Sequence, residues 1–156
     1  MMSFKESIIN EQSIWLNQDA ENWEEAVTIA TAPLLQSGAI TTNYVEAIIQ
    51  NTKKYGPYYL LMDGMAMPHA RPEDGVNRDA FSLVIFNEPI DFGDHKRASV
   101  FVVLAATSSD IHTSIAIPQI VSVFEIDNII DKLTTATSVE EIIAHIDKAD
   151  MSEYIS

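Results

Sequence analysis

Ser99-Val100-Phe101-Val102-Val103-Leu104 is apolar at every position after the first. Strand side chains alternate between faces, so a strand of this composition has no face to give to water. It belongs inside a sheet covered by helices on both sides, which makes the chain a layered α/β domain. The covering helices are legible. Trp23, Ala26, Val27, Ala30, Leu34 and Leu35 recur at helical spacing, Asn22 and Glu25 fit a capping box, and Gly38 stops the run. Pro33 is expected to kink the last turn. A second helix is expected from Asn43, capped with Glu46, burying Tyr44, Val45, Ile48 and Ile49 and ending at Gly56-Pro57. Further helices are expected over 112–124, bent or divided at Pro118, over 127–133, and from Ser138, capped with Glu141, to Ala149. The short amphipathic piece Phe4 to Ile9 leads the chain. Ser13–Leu16, Tyr58–Met62 and Phe81–Phe86 read as the other strands, with Asn87-Glu88-Pro89 closing the last of these.

At 156 residues, the chain is expected to form one domain over 1–156, able to bury its own core. It has no cysteine, so thiolate chemistry, disulfides and cysteine zinc sites are excluded. Lys and Arg number 9 against 23 Asp and Glu, a formal charge of −14 that opposes phosphate backbones and anionic membranes. Nucleic acid and direct membrane insertion are therefore not expected, and Ala98–Ala106, the most apolar stretch, is too short to span a bilayer. A cytoplasmic protein is expected. The acidity favours encounter with a basic protein surface, although it also serves solubility.

Chemistry concentrates in Gly64-Met65-Ala66-Met67-Pro68-His69-Ala70-Arg71-Pro72-Glu73-Asp74-Gly75-Val76. Pro68 fixes its own φ and biases Met67 toward extended backbone, so His69 leaves a short strand at a defined angle. Arg71 is a cation two residues on, and Pro72-Glu73-Asp74-Gly75 has the composition of an exposed turn. A Pro-His pair alone is also what an incidental surface histidine looks like. Of the 4 histidines, His145 sits among isoleucines on the last helix and His95 in a charged loop. His112 opens a helix directly after the apolar strand, where α/β proteins hold anions.

The run Gly64–Ala70 resembles the phosphohistidine signature of enzyme IIA of the phosphoenolpyruvate-dependent sugar phosphotransferase system, mannitol–fructose type. The extension through Arg71–Val76 is most similar to the ascorbate branch. Ser108-Ser109-Asp110-Ile111-His112 falls where that family carries a second active-site histidine. The resemblance implies a mixed β-sheet flanked by helices. It also implies a phosphotransferase in which His69 takes a phosphoryl group from the carrier HPr and passes it to the cognate enzyme IIB, acting with a membrane IIC permease. The implied sugar is L-ascorbate; another such as mannitol, fructose or galactitol is the alternative. His112 then assists, and Arg71 stabilises the phosphate. Mannitol and fructose relatives carry an arginine where this chain has Lys53, which keeps the charge without the bidentate geometry. Met67, Glu73 and Asp74 are expected to meet partners. Met62 and Lys54 depart from the broad family signature.

No metal or other cofactor is required by this chemistry. A metal-dependent hydrolase built on His69, His112 and Asp110 is a rival, but HExxH and other ligand-spaced pairs are missing from the sequence. A regulatory interaction module of the same family is another rival, one that such domains can fill in transcription and nitrogen regulation.

Overall fold

Both faces of the strand Arg97–Ala105 are buried, as its composition requires, and each face has its own set of helices. The computed structural model describes residues 3–149. In chain order the elements are α1 (Phe4–Asn10), β1 (Ile14–Gln18), α2 (Trp23–Ser37), α3 (Thr42–Tyr55) and β2 (Gly64–Ala66). A 3-10 turn at Pro72–Asp74 leads to β3 (Ala80–Asp91) and β4 (Arg97–Ala105). Then follow α4 (Ser109–Ile111), a π-helical turn His112–Ala116, α5 (Ile117–Phe124), α6 (Ile129–Thr134) and α7 (Val139–Ile146). The sheet order is β1-β3-β4-β2. β1 runs parallel to β3 and β2 parallel to β4, while β3 and β4 are antiparallel, so the sheet is mixed.

Val100, Val102 and Leu104 of β4 pack with Phe4 and Ile8 of α1, Ile120 of α5, Leu133 of α6 and Ile142 of α7. Phe101 and Val103 point the other way, onto Val27 and Leu34 of α2 and Tyr44 and Ile48 of α3. Burying each such side chain contributes about 1.5–3 kcal/mol, so the two-sided packing is what fixes β4 and β3 at the centre.

Helix ends follow local chemistry. Asn22 accepts from Glu25 N at 2.9 Å, Ser138 accepts from Glu141 N at 3.1 Å, and Gly38 closes α2 in the left-handed region at φ 83°.

Several expected boundaries are corrected. Helix α3 begins at Thr42 with Thr41 as its N-cap, so Asn43 and Glu46 make no capping box. The Asn43 amide instead donates to Asp74 O at 2.7 Å, tying the helix to the 3-10 turn. Pro33 sits inside α2, which runs on to Ser37 and stops at Gly38 as expected. Tyr58–Met62 is not a strand, because Tyr58 and Tyr59 form a turn and Met62 makes only an isolated bridge to Met65. The aromatic bias there serves packing: Tyr59 is fully buried, with its hydroxyl 3.0 Å from Thr52 Oγ1. β3 runs through Asn87-Glu88-Pro89 to Asp91, and a register shift between Ile85 and Ile90 accommodates the proline. Pro118 lies in the first turn of α5, so the expected helix over 112–124 is divided just before it. Ahead of it the backbone widens into the π turn, where Ile117 N–H donates to His112 O five residues back.

Candidate functional site

Neighbouring parallel strands β2 and β4 both point their C-terminal ends at one edge of the sheet, and the two loops leaving them carry His69 and, one turn into the following helix, His112. Beyond β2 the chain stays tethered: Met67 N donates to Tyr59 O at 2.9 Å, and Leu104 N of β4 donates to Pro68 O at 3.3 Å. Pro68 has no N–H and a fixed φ, so His69 leaves this anchor in one direction. On the other strand, Ser108 caps α4 by accepting from Ile111 N at 3.1 Å, which sets where His112 falls.

The His69 Nδ1 atom lies 2.7 Å from Met67 O. A carbonyl only accepts, so Nδ1 carries the proton and a neutral His69 keeps its lone pair on Nε2. The two imidazoles lie with ring centroids 4.8 Å apart, tilted by 53°. Burial holds the His69 pKa below the ordinary histidine value, against the opposing effect of the Met67 carbonyl. Burial also lowers that of His112, and the nearby charge His69 can carry lowers it further. Both rings are therefore biased toward the neutral form.

The pair opens into a cavity of about 410 Å³ whose walls include Asn51, Tyr55, Tyr58, Arg71 and Ser109. Two of its lining residues, Tyr55 at 66% exposure and Tyr58 at 39%, present aromatic surface to solvent. Asn51 and Tyr55 stand four residues apart on α3 and so share a face, a spacing visible in the sequence but not singled out there. Tyr58 falls in a segment with a strand-like pattern, and nothing local in the sequence marks it as a site residue. Ser109 lies in the run Ser108–His112, three residues before the second histidine, with no sequence signal of its own.

The other expected site residues separate. Arg71 borders the cavity, but its Nε lies 3.4 Å from Glu73 and 3.6 Å from Asp74. Asp74 also accepts from Arg71 N at 3.1 Å and so closes the 3-10 turn. Glu73 remains an exposed charge beside the site, whereas Asp74, with its side chain 18% exposed, is largely committed to the turn. Lys53 pairs with Glu24 of α2 at 3.1 Å. A step of two residues on a helix is about 200°, so Lys53 faces away from the Asn51 side of α3. Lys54 lies closer, its Nζ 5.1 Å from the centroid of the Tyr55 ring. Met67, just past the end of β2, is fully buried in the same core cluster as Met65 and cannot meet a partner. Met62 and Leu61 are the exposed apolar side chains near this segment, at 40% and 51%. Asp110 does not complete a ligand set: among the described residues no three His, Asp or Glu are grouped to hold a metal. Among those residues, too, no helix is long and apolar enough to cross a membrane.

The fold, with its mixed four-stranded sheet between helices, is that of the mannitol-type IIA domains of the sugar phosphotransferase system. The chain belongs to the family "Phosphoenolpyruvate-dependent sugar phosphotransferase system, EIIA 2", whose sequence model matches residues 7–149. It is 33% identical, over 96% of its length and 98% of the relative's, to the ascorbate-specific PTS system EIIA component of Escherichia coli strain K12. A chain assigned as PTS IIA (PtxA) from Streptococcus mutans superposes with a TM-score of 0.94 at 50% identity, covering 98% of each chain. Enzyme IIA of the mannitol system, solved in complex with phosphorylated enzyme IIB from Escherichia coli, matches with a TM-score of 0.75 at 25% identity, over 87% of this chain and 94% of that one. EIIA components are phosphotransferases, and this chain is one by membership.

Proposed function

We propose that the protein, acting in the cytoplasm as one domain over 1–156, accepts a phosphoryl group on His69 Nε2 from phospho-HPr. It passes the group to its cognate enzyme IIB, in a system that takes up and phosphorylates L-ascorbate through a membrane IIC permease. The ascorbate assignment leans on the ascorbate-specific relatives. The single observation that carries the chemistry is the bond between His69 Nδ1 and Met67 O, which leaves Nε2 as the nucleophilic nitrogen.

In the forward step the Nε2 lone pair forms a bond to phosphorus as the bond between phosphorus and the donor's carrier atom breaks, its electron pair staying with the donor. The ring becomes positive as it bonds, and its Nδ1 proton shares that charge with the Met67 carbonyl. The transferred group brings about −1.5 to −2 charges into the cavity. That charge raises the proton affinity of His112, 4.8 Å away ring to ring, so an imidazole that is neutral beforehand becomes a cationic donor once the phosphoryl group arrives. Arg71 adds a second cation when its side chain turns from Glu73 and Asp74 toward the phosphate. Transfer to IIB is the same displacement in reverse, with IIB's nucleophile as acceptor.

Incubation with phosphoenolpyruvate, enzyme I and HPr, followed by mapping of the acid-labile phosphate, tests the reading. Label is expected on His69 alone and absent from His69→Ala; label on His112 or His95, or retained in His69→Ala, overturns it.

A further inference from the structure

The peptide group joining His69 to Ala70 is held at both of its polar atoms by tyrosine hydroxyls from different segments. Its carbonyl oxygen accepts from the Tyr58 hydroxyl. Its N–H, on Ala70, donates to the Tyr44 hydroxyl at 3.0 Å. Tyr44 is fully buried on α3 and donates onward to Leu104 O of β4 at 2.5 Å, which ties this peptide to the centre of the sheet. Tyr58 stands at the turn after α3, accepts a hydrogen bond from the Asn51 side chain, and sets its ring edge against the His69 imidazole, with centroids 5.4 Å apart and planes at 85°.

We propose that Tyr44 and Tyr58 are positioning residues for phosphoryl transfer, a clamp on the His69–Ala70 peptide that fixes the direction from which the imidazole presents Nε2. The proposal rests on the phosphocarrier reading of His69. A planar peptide held at both C=O and N–H cannot turn about the bonds on either side of it, and Pro68 restricts the backbone just before. With the backbone of His69 fixed in this way, the bond to Met67 O sets the remaining side-chain torsions. Burial pushes the Tyr58 phenol above its ordinary pKa, so the hydroxyl keeps the proton it donates throughout the neutral range. Phosphoryl transfer depends chiefly on alignment, and a displacement of about 1 Å can cost on the order of a hundredfold in rate.

Tyr58→Phe removes the hydroxyl and keeps the ring that forms the cavity wall. In unphosphorylated protein with 15N-labelled histidine, wild-type His69 is expected to show the Nδ1–H tautomer, and Tyr58→Phe a mixture of tautomers. Single-turnover transfer from phospho-HPr should slow about tenfold in this variant at unchanged donor KM, with the unfolding midpoint within about 2 °C of wild type. A wild-type tautomer signal together with a rate within about twofold of wild type overturns the clamp. So does a lowered unfolding midpoint with unchanged tautomer and rate, since that is a structural role only. Tyr44→Phe should give the same two signatures, and if that variant does not fold, Tyr58→Phe decides alone. The tautomer measurement needs no phosphoryl donor, so wild-type protein that fails to take phosphate overturns the carrier reading while the clamp is still tested.

Discussion

His69 and His112 lie ring to ring, 4.8 Å between centroids, although strands β3 and β4 separate them in the chain. The contact makes His112 the nearest imidazole to the proposed phosphoryl site. His112→Ala should still be phosphorylated by HPr but should pass the group to IIB about a hundredfold more slowly, the order of loss for removing one preorganised donor. Stopped-flow or quench-flow transfer in each direction measures this, and unchanged forward transfer removes His112 from the site.

The pH profile should reflect two imidazoles that resist protonation. Phosphoryl acceptance needs a free Nε2 lone pair, so the rate should be level through neutral pH and fall on acidification, with its midpoint below 6.5, the ordinary value, because burial lowers the pKa of His69. Stability should move in the same sense. A histidine whose folded pKa lies below its unfolded value binds fewer protons when folded, so stability is full above the unfolded value of 6.5 and is lost as pH falls from there toward the folded value. Denaturant titrations of wild type and His69→Gln between pH 7.5 and about 5 check it, the variant showing the weaker dependence.

Cations near the site should differ in effect. Lys53 is occupied by Glu24 on the far side of α3, so Lys53→Ala should leave transfer within about twofold of wild type. Arg71 borders the cavity, and Arg71→Ala should slow transfer about tenfold. A large effect at Lys53 with none at Arg71 would reverse this assignment.

The charge of −14 should steer a basic donor protein. Second-order transfer from phospho-HPr is expected to slow as the Debye length is shortened from about 30 to about 10 Å with added salt. Glu73→Gln should reduce that dependence, being the exposed carboxylate beside the site. A wild-type rate indifferent to salt would show that docking rests on apolar contact.

Gly75 should not tolerate a side chain. Its φ is +136°, and a Cβ there would stand 2.2 Å from Thr41 Oγ1. Gly75→Ala should lower stability by about 1–3 kcal/mol in a denaturant titration and disturb the turn that holds Arg71.

The sequence by itself determined whatever is settled between near neighbours. A strand apolar on both faces had to lie between helix layers, and β4 does; Asn22, Gly38 and Ser138 ended helices through bonds within a few residues. The proline-directed His69 was legible for the same reason, since Pro68 restricts the backbone immediately beside it. Tertiary structure alone decided which side chains meet. His112 reaches His69 because β2 and β4 are parallel neighbours, a pairing that no local pattern encodes. Met67 is buried because the segment leaving β2 is held against Tyr59 and packs into the core, and Lys53 is turned from the site because α3 presents Asn51 and Tyr55 there. Tyr58 carried a strand-like signal and became a turn, since burying Tyr59 and bonding the His69 carbonyl depend on segments that come together only on folding. Periodicity fixes an element's faces to within its own turn or pleat, whereas the partner of each face depends on long-range packing that the local pattern does not contain.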